Sequence, residues 1–133
     1  GNALNEHYCR RWLGIKMIKQ LENQTARELV AGSQFSKYHD AQNEYFCLSI
    51  AFPNVSNEEE TISVTIGFLN DSTLKKRIEF IEGDPTIERE EVNVTCERCP
   101  IADCKDRAAE PIVNQFKEGR RKSLEAINEL LSE

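Results

Sequence analysis

Three of the chain's five cysteines fall in one short stretch, Cys96-Glu97-Arg98-Cys99-Pro100-Ile101-Ala102-Asp103-Cys104, with the spacing C-x2-C-x4-C. Two thiolates separated by two residues can grip one ion, because the turn between them aims both sulfurs inward. Cys104 can then close most of a tetrahedral shell. Zinc is the first reading and an iron–sulfur cluster a distant second. The rivals are a thiol redox pair or disulfide, with Cys99 and Cys104 as partners, and a cluster of inert thiols. A structural zinc site takes four ligands, and this motif supplies Cys96, Cys99 and Cys104 only. Cys47 is the first candidate for the fourth, since it lies on the half-polar face of a predicted central strand. Cys9, His39 and His7 follow, and Asp103 and Asp106 are near enough in sequence to ligate or to support a ligand. The bland alternative for Cys9 and Cys47 is that each is a small buried hydrophobe.

Other catalytic chemistry is sparse. The chain has no HExxH, no G-x-S-x-G, no GxGxxG and no phosphate-cradling glycine loop. Its only histidines, His7 and His39, sit in no catalytic motif, and a Cys47–His39 nucleophile has little to recommend it. Glu58-Glu59-Glu60 reads as a solvated loop and Glu88 to Glu91 as an acidic linker. These residues do not describe an enzyme.

The chain's 133 residues bound the rest to one domain spanning 1–133, large enough for a real core. A net charge of −6 argues against direct DNA contact, which needs a basic stripe. The one basic run, Lys117 with Arg120, Arg121 and Lys122, is interleaved with acids and reads as a solvated helix face. No run of about eighteen apolar residues predicts a membrane span. The start, Gly1-Asn2-Ala3-Leu4, has neither an initiator Met nor a signal core, so the expectation is a domain excised from a longer protein. Four N-x-[ST] sequons, at Asn23, Asn54, Asn70 and Asn93, point toward secretion. The odd cysteine count and the clustered C-x2-C favour a reducing cytoplasm instead.

Several elements must position these residues. Apolar residues at three-to-four spacing, among them Leu4, Tyr8, Trp12 and Ile15, predict a long helix over 3–30 with Trp12 as a core anchor. Asn23-Gln24-Thr25 could break it. A short strand over Gln34–His39 and a polar turn follow. Glu44–Phe52 and Thr61–Leu69 alternate cleanly. Phe46, Leu48, Ile50, Phe52, Ile62, Val64, Ile66 and Phe68 make a bulky face, expected to fill the main core. Tyr45, Cys47, Ser49, Ala51, Ser63, Thr65 and Gly67 make a small, half-polar face that either takes a close-packed helix or floors a ligand pocket. Tyr45, Cys47, Ser49, Ser63 and Thr65 are therefore the candidate ligand-binding residues. Asn70 to Thr73 can cap a helical turn, and Arg77–Ile81 reads as a further strand. A knuckle over 96–107 leads to a C-terminal helix over 111–132, with a seam of Val113, Phe116, Arg120, Leu124, Ile127 and Leu131 for a sheet or a partner chain.

Three pieces of the chain carry a family resemblance, in order: Asn43–Ala51, an aromatic-rich strand ending in Ile50-Ala51; Ile62–Gly67 with Arg77–Gly83; and Cys96–Ala108 with its C-x2-C-x4-C and following Arg107-Ala108. Residues 33–112 thus resemble the C-terminal sensor domain of bacterial XRE-type helix-turn-helix regulators, the short-chain fatty acyl regulator-like group. The chain departs from that pattern after Gly67, where Phe68-Leu69-Asn70-Asp71 stand in place of the Cys or His residues that the family tends to carry. The resemblance implies a regulatory domain whose partner is an attached N-terminal DNA-binding domain, with a small acyl-type compound as a candidate effector.

The combined expectation is an α+β domain: an antiparallel sheet of four to five strands with long N-terminal and C-terminal helices, GAF- or PAS-like by analogy. Its expected role is effector sensing or dimerisation, as a homodimer, for a bacterial transcription regulator. The alternatives are a zinc-stabilised oligomerisation module and a thiol redox switch.

Overall fold

The structure, a computed structural model, describes residues 5–132, and the fold is α+β. The chain forms two compact units: Arg10–Val92, and the segments before and after it.

The Arg10–Val92 unit starts with helix α1, Leu13–Glu22. Leu13, Met17 and Leu21 recur every four residues, and all three are buried on one stripe. The long helix expected over 3–30 is therefore much shorter. Residues 1–4 lie outside the described part; Tyr8 and Cys9 precede the helix, and the Asn23-Gln24-Thr25 break ends it. Arg27 then takes a left-handed backbone (φ 46°), redirecting the chain into strand β1, Val30–Tyr38. Asp40, also left-handed (φ 63°), sits in the polar turn leading to β2, Glu44–Pro53. Strand β3, Thr61–Leu69, pairs antiparallel with β2, placing Ile66 opposite Leu48 and Val64 opposite Ile50.

Three expectations fail here. Arg77–Ile81 is helical, not a strand. The Asp71 carboxylate accepts the Leu74 N–H at 2.9 Å and launches α2, Ser72–Arg77, whose last turn carries Lys75, Lys76 and Arg77 at the end a helix dipole favours. A further turn, α3, spans Glu79–Glu82. The acidic linker is also a strand: β4, Glu88–Val92, lies parallel to β1, so the sheet is mixed, in the order β3-β2-β1-β4. Its charges are matched. Lys16 Nζ of α1 donates to Glu88 at 3.0 Å and Glu90 at 3.1 Å. On the opposite face Arg89 stacks over the Phe35 ring at 4.0 Å and bridges to Glu44 and Glu82.

The third correction concerns which sheet face is buried. Helix α1 lies on the small half-polar face, where Leu13, Met17 and Leu21 pack with Val30 and Ala51. Large side chains of a helix need small partners opposite them if the layers are to approach. Of the bulky face, Phe46 is buried against Phe35, but Leu48, Ile50, Ile62, Val64, Ile66 and Phe68 remain 38–56% exposed. That face is not the core of the chain.

In the flanking unit, Tyr8 and Thr95 form an antiparallel bridge, a 3-10 turn covers Cys96–Arg98, and helix α4 spans Ile112–Leu131. Phe116, Leu124, Ile127 and Leu131, four residues of the expected seam, are exposed in the single chain.

Candidate functional site

Helix α1 does not cover the whole of the small face. Beside it lies an open-sided cleft of about 590 Å3. Trp12, Leu13, Gly14 and Ile15 come from the start of α1, Ser36 and Tyr38 from β1, and Val92 from β4. Tyr45 and Cys47 of β2 and Ser63, Thr65 and Gly67 of β3 complete it. The period of two along each strand sends these side chains to one side. Cleft and helix were rival readings of this face, and both occur on it. Trp12, expected as a core anchor, is a half-buried wall of the cleft.

Four of the five candidate ligand residues, Tyr45, Cys47, Ser63 and Thr65, line the cleft. Ser49 is buried instead: it donates to Val64 O at 3.2 Å and accepts from Thr65 Oγ1 at 2.9 Å. The α1 residues, Ser36 and Tyr38 were not legible as lining, because no periodicity reveals which strand neighbours β2 or where a helix ends across a sheet.

Polar support reaches the cleft from one side. Buried Gln34 accepts from Lys16 Nζ at 2.7 Å and donates to Arg11 O at 3.0 Å and to Ser36 Oγ at 2.8 Å. The Cys47 thiol donates to the same Ser36 oxygen at 3.7 Å. Burial pushes the Cys47 thiol up from its ordinary value, and the Ser36 hydrogen bond only partly offsets this. Cys47 is a protonated wall of the cleft at neutral pH, not an activated nucleophile. The described lining carries no charged side chain.

The cysteine stretch belongs to the flanking unit. Cys96 and Cys99 are buried and Cys104 is half-buried, all as free thiols. Arg107 binds the loop together: its Nη1 donates to Cys96 O at 2.7 Å and Ala109 O at 3.3 Å, and its Nη2 to Ile101 O at 2.8 Å and Cys99 O at 3.1 Å. The Ala108 N–H donates to Cys96 Sγ at 3.4 Å. Asp103 takes a left-handed backbone (φ 55°) that turns the chain toward Cys104. Among the described residues no three His, Cys, Asp or Glu side chains are grouped so as to hold a metal ion. His7 and His39 are each engaged with a carboxylate, Glu97 at 2.7 Å and Glu91 at 2.6 Å respectively. No helix of the described residues is long and apolar enough to cross a membrane.

Compared with known proteins, the chain matches no family model, no curated protein and no solved structure.

Proposed function

We propose that the Arg10–Val92 unit is a small-molecule sensor, the effector-binding part of a bacterial transcription regulator that acts as a homodimer in the cytoplasm. The observation that carries this reading is the cleft between α1 and the small-residue face. Its volume of about 590 Å3 falls within the few hundred to about 1,000 Å3 common for ligand sites. Its composition fits too: Trp12, Ile15, Val92 and the tyrosine rings supply apolar walls, and Ser36, Ser63 and Thr65 supply a few hydroxyls that orient a ligand.

The uncharged lining favours a neutral ligand, such as an acyl group carried as an ester or amide, over a free carboxylate. A ligand wedged between α1 and the sheet stabilises the α1 position that accommodates it. Sensing then follows from linkage, since a ligand shifts an equilibrium by its differential affinity for the two states. The helix-turn-helix domain that reads DNA would be attached at the N-terminal side.

A thermal-shift screen of the purified chain tests this, using short acyl esters and amides, the matching free acids, and small aromatic amides. Binding at about a hundred times Kd contributes about 2.7 kcal/mol, which is several degrees for a domain of this size. The expected result is a rise with neutral members and none with the free acids. A screen in which neither neutral nor charged members shift the midpoint would overturn the proposal.

A further inference from the structure

We propose that Cys9 joins Cys96, Cys99 and Cys104 in a four-thiolate zinc site, so that the fourth ligand comes from the segment before α1 and not from Cys47. The first argument is pairing. Tyr8 and Thr95 form an antiparallel bridge, flanked by hydrogen bonds from Cys9 N–H to Val94 O at 3.1 Å and from Cys96 N–H to His7 O at 2.9 Å. Successive side chains alternate across such a ladder. With Tyr8 and Thr95 on one face, Cys9 and Cys96 share the other as diagonal neighbours, about 7–8 Å apart at the backbone and closer at Cβ. Two sulfurs on one tetrahedral zinc lie about 3.8 Å apart, given Zn–S bonds of about 2.3 Å. One pair of Cys side chains spans that gap from diagonal positions.

The second argument is burial. Cys9, Cys96 and Cys99 are 8%, 6% and 7% exposed, and among the described residues they are the only buried hydrophobic side chains outside Arg10–Val92. Ordering a residue costs backbone entropy that burial or bonding must offset. Three thiols without surrounding oil offset little of that, whereas metal binding at a structural site is itself folding free energy. The third argument is the sulfur's surroundings. A backbone N–H already points at Cys96 Sγ, and Arg107 ties the Cys96 and Cys99 carbonyls together, holding the two cysteines of the C-x2-C turn in place. On binding, each thiol gives up its proton and its sulfur lone pair forms the bond to zinc. The described side chains are not yet grouped for this, so ligation must turn the thiols inward and draw in half-buried Cys104.

Cys47 serves as the internal control, since its thiol lies in the sensor cleft and is donated to Ser36. The experiment uses the fully reduced chain with and without one equivalent of zinc. Native mass spectrometry counts the metal, and alkylation with peptide mapping shows which thiols it protects. One zinc per chain is expected, protecting Cys9, Cys96, Cys99 and Cys104 and leaving the labelling of Cys47 unchanged. Cys9→Ser should weaken zinc binding by about tenfold or more, and Cys47→Ser should leave it intact. No bound zinc, a Cys9 that labels equally with and without metal, or protection of Cys47 would each overturn the site. Because the mapping is done on the unmodified chain, a variant that fails to fold does not decide the question. Absence of zinc, or a Cys9 that labels equally with and without it, leaves the sensor proposal untouched.

Discussion

The Cα of Gly14 in α1 stands against the Thr65 hydroxyl of β3: a Cβ there would lie 2.9 Å from Thr65 Oγ1 and 3.0 Å from Ser63 Oγ. Thr65 cannot simply swing away, because it donates to Ser49 at 2.9 Å. The missing side chain lets the start of α1 approach the sheet and sets one end of the cleft. Gly14→Val should lift that end and cost about 1–3 kcal/mol, as overpacking does. Urea denaturation measures it, and an unchanged midpoint would mean that the helix does not need this contact.

Gly67 has the opposite geometry. A Cβ built on it meets only Cys47 Sγ at 3.8 Å and Tyr45 at 3.9 Å, ordinary contact distances. Gly67→Leu should therefore keep the fold and fill the cleft from its floor. Thermal stability should hold while every ligand-induced shift disappears. A variant that retains the full shift would place the ligand elsewhere.

How much of this was readable in advance depended on whether a signal was local. The alternation in Glu44–Phe52 and Thr61–Leu69 fixed both strands and both of their faces, because a period of two needs no knowledge of the neighbours. Which face forms the main core is not local: the oily face was expected to fill it, whereas the buried cluster lies on the small face under α1, one of the two readings that face allowed. Glu88 to Glu91 hid a strand because Lys16 and Arg89, which match its charges, cannot be assigned from that segment alone. The cleft was half visible, through Tyr45, Cys47, Ser63 and Thr65; its other wall belongs to α1 and β1. The cysteine spacing was plain, but the Tyr8–Thr95 bridge that brings Cys9 to it joins residues far apart in sequence.

The uncovered sheet face gives a contrast that a core would not show. Ile66 is 56% exposed, whereas Leu21, on the inward stripe of α1, is wholly buried. Ile66→Glu should cost about 1 kcal/mol or less, the range of surface and strand-propensity effects. Leu21→Ala should cost about 2–5 kcal/mol. Paired chemical denaturation curves decide it, and a loss at Ile66 as large as that at Leu21 would show that the face is covered in solution.

The Cys47 thiol should titrate late. Burial raises its pKa in the folded state, so at a given pH it holds less thiolate than an ordinary cysteine. Its alkylation should be slow near neutrality and climb only at pH values above the usual thiol range. The same shift means that stability is gained from the protonated form and lost as pH rises past the unfolded thiol's value. A Cys47 that labels faster than a free thiol at neutral pH would refute the assignment.

Arg107 holds together carbonyls of the cysteine loop, one of which, Cys96 O, also accepts the Cys99 N–H at 3.2 Å in the 3-10 turn. Four of them, from Cys96, Cys99, Ile101 and Ala109, accept from its two terminal nitrogens. A guanidinium can do this because its donors are fixed in one plane; a lysine ammonium is a point charge that reaches fewer of the four at once. Arg107→Lys keeps the charge but should lose at least one charge-assisted hydrogen bond, about 1.5–3 kcal/mol. Hydrogen exchange locates the effect: backbone amides of residues 99–108 should lose protection, while those of β1 and β2 keep theirs. If charge alone held the loop, the lysine variant would exchange like the unmodified chain, and the role assigned to the planar fork would be wrong.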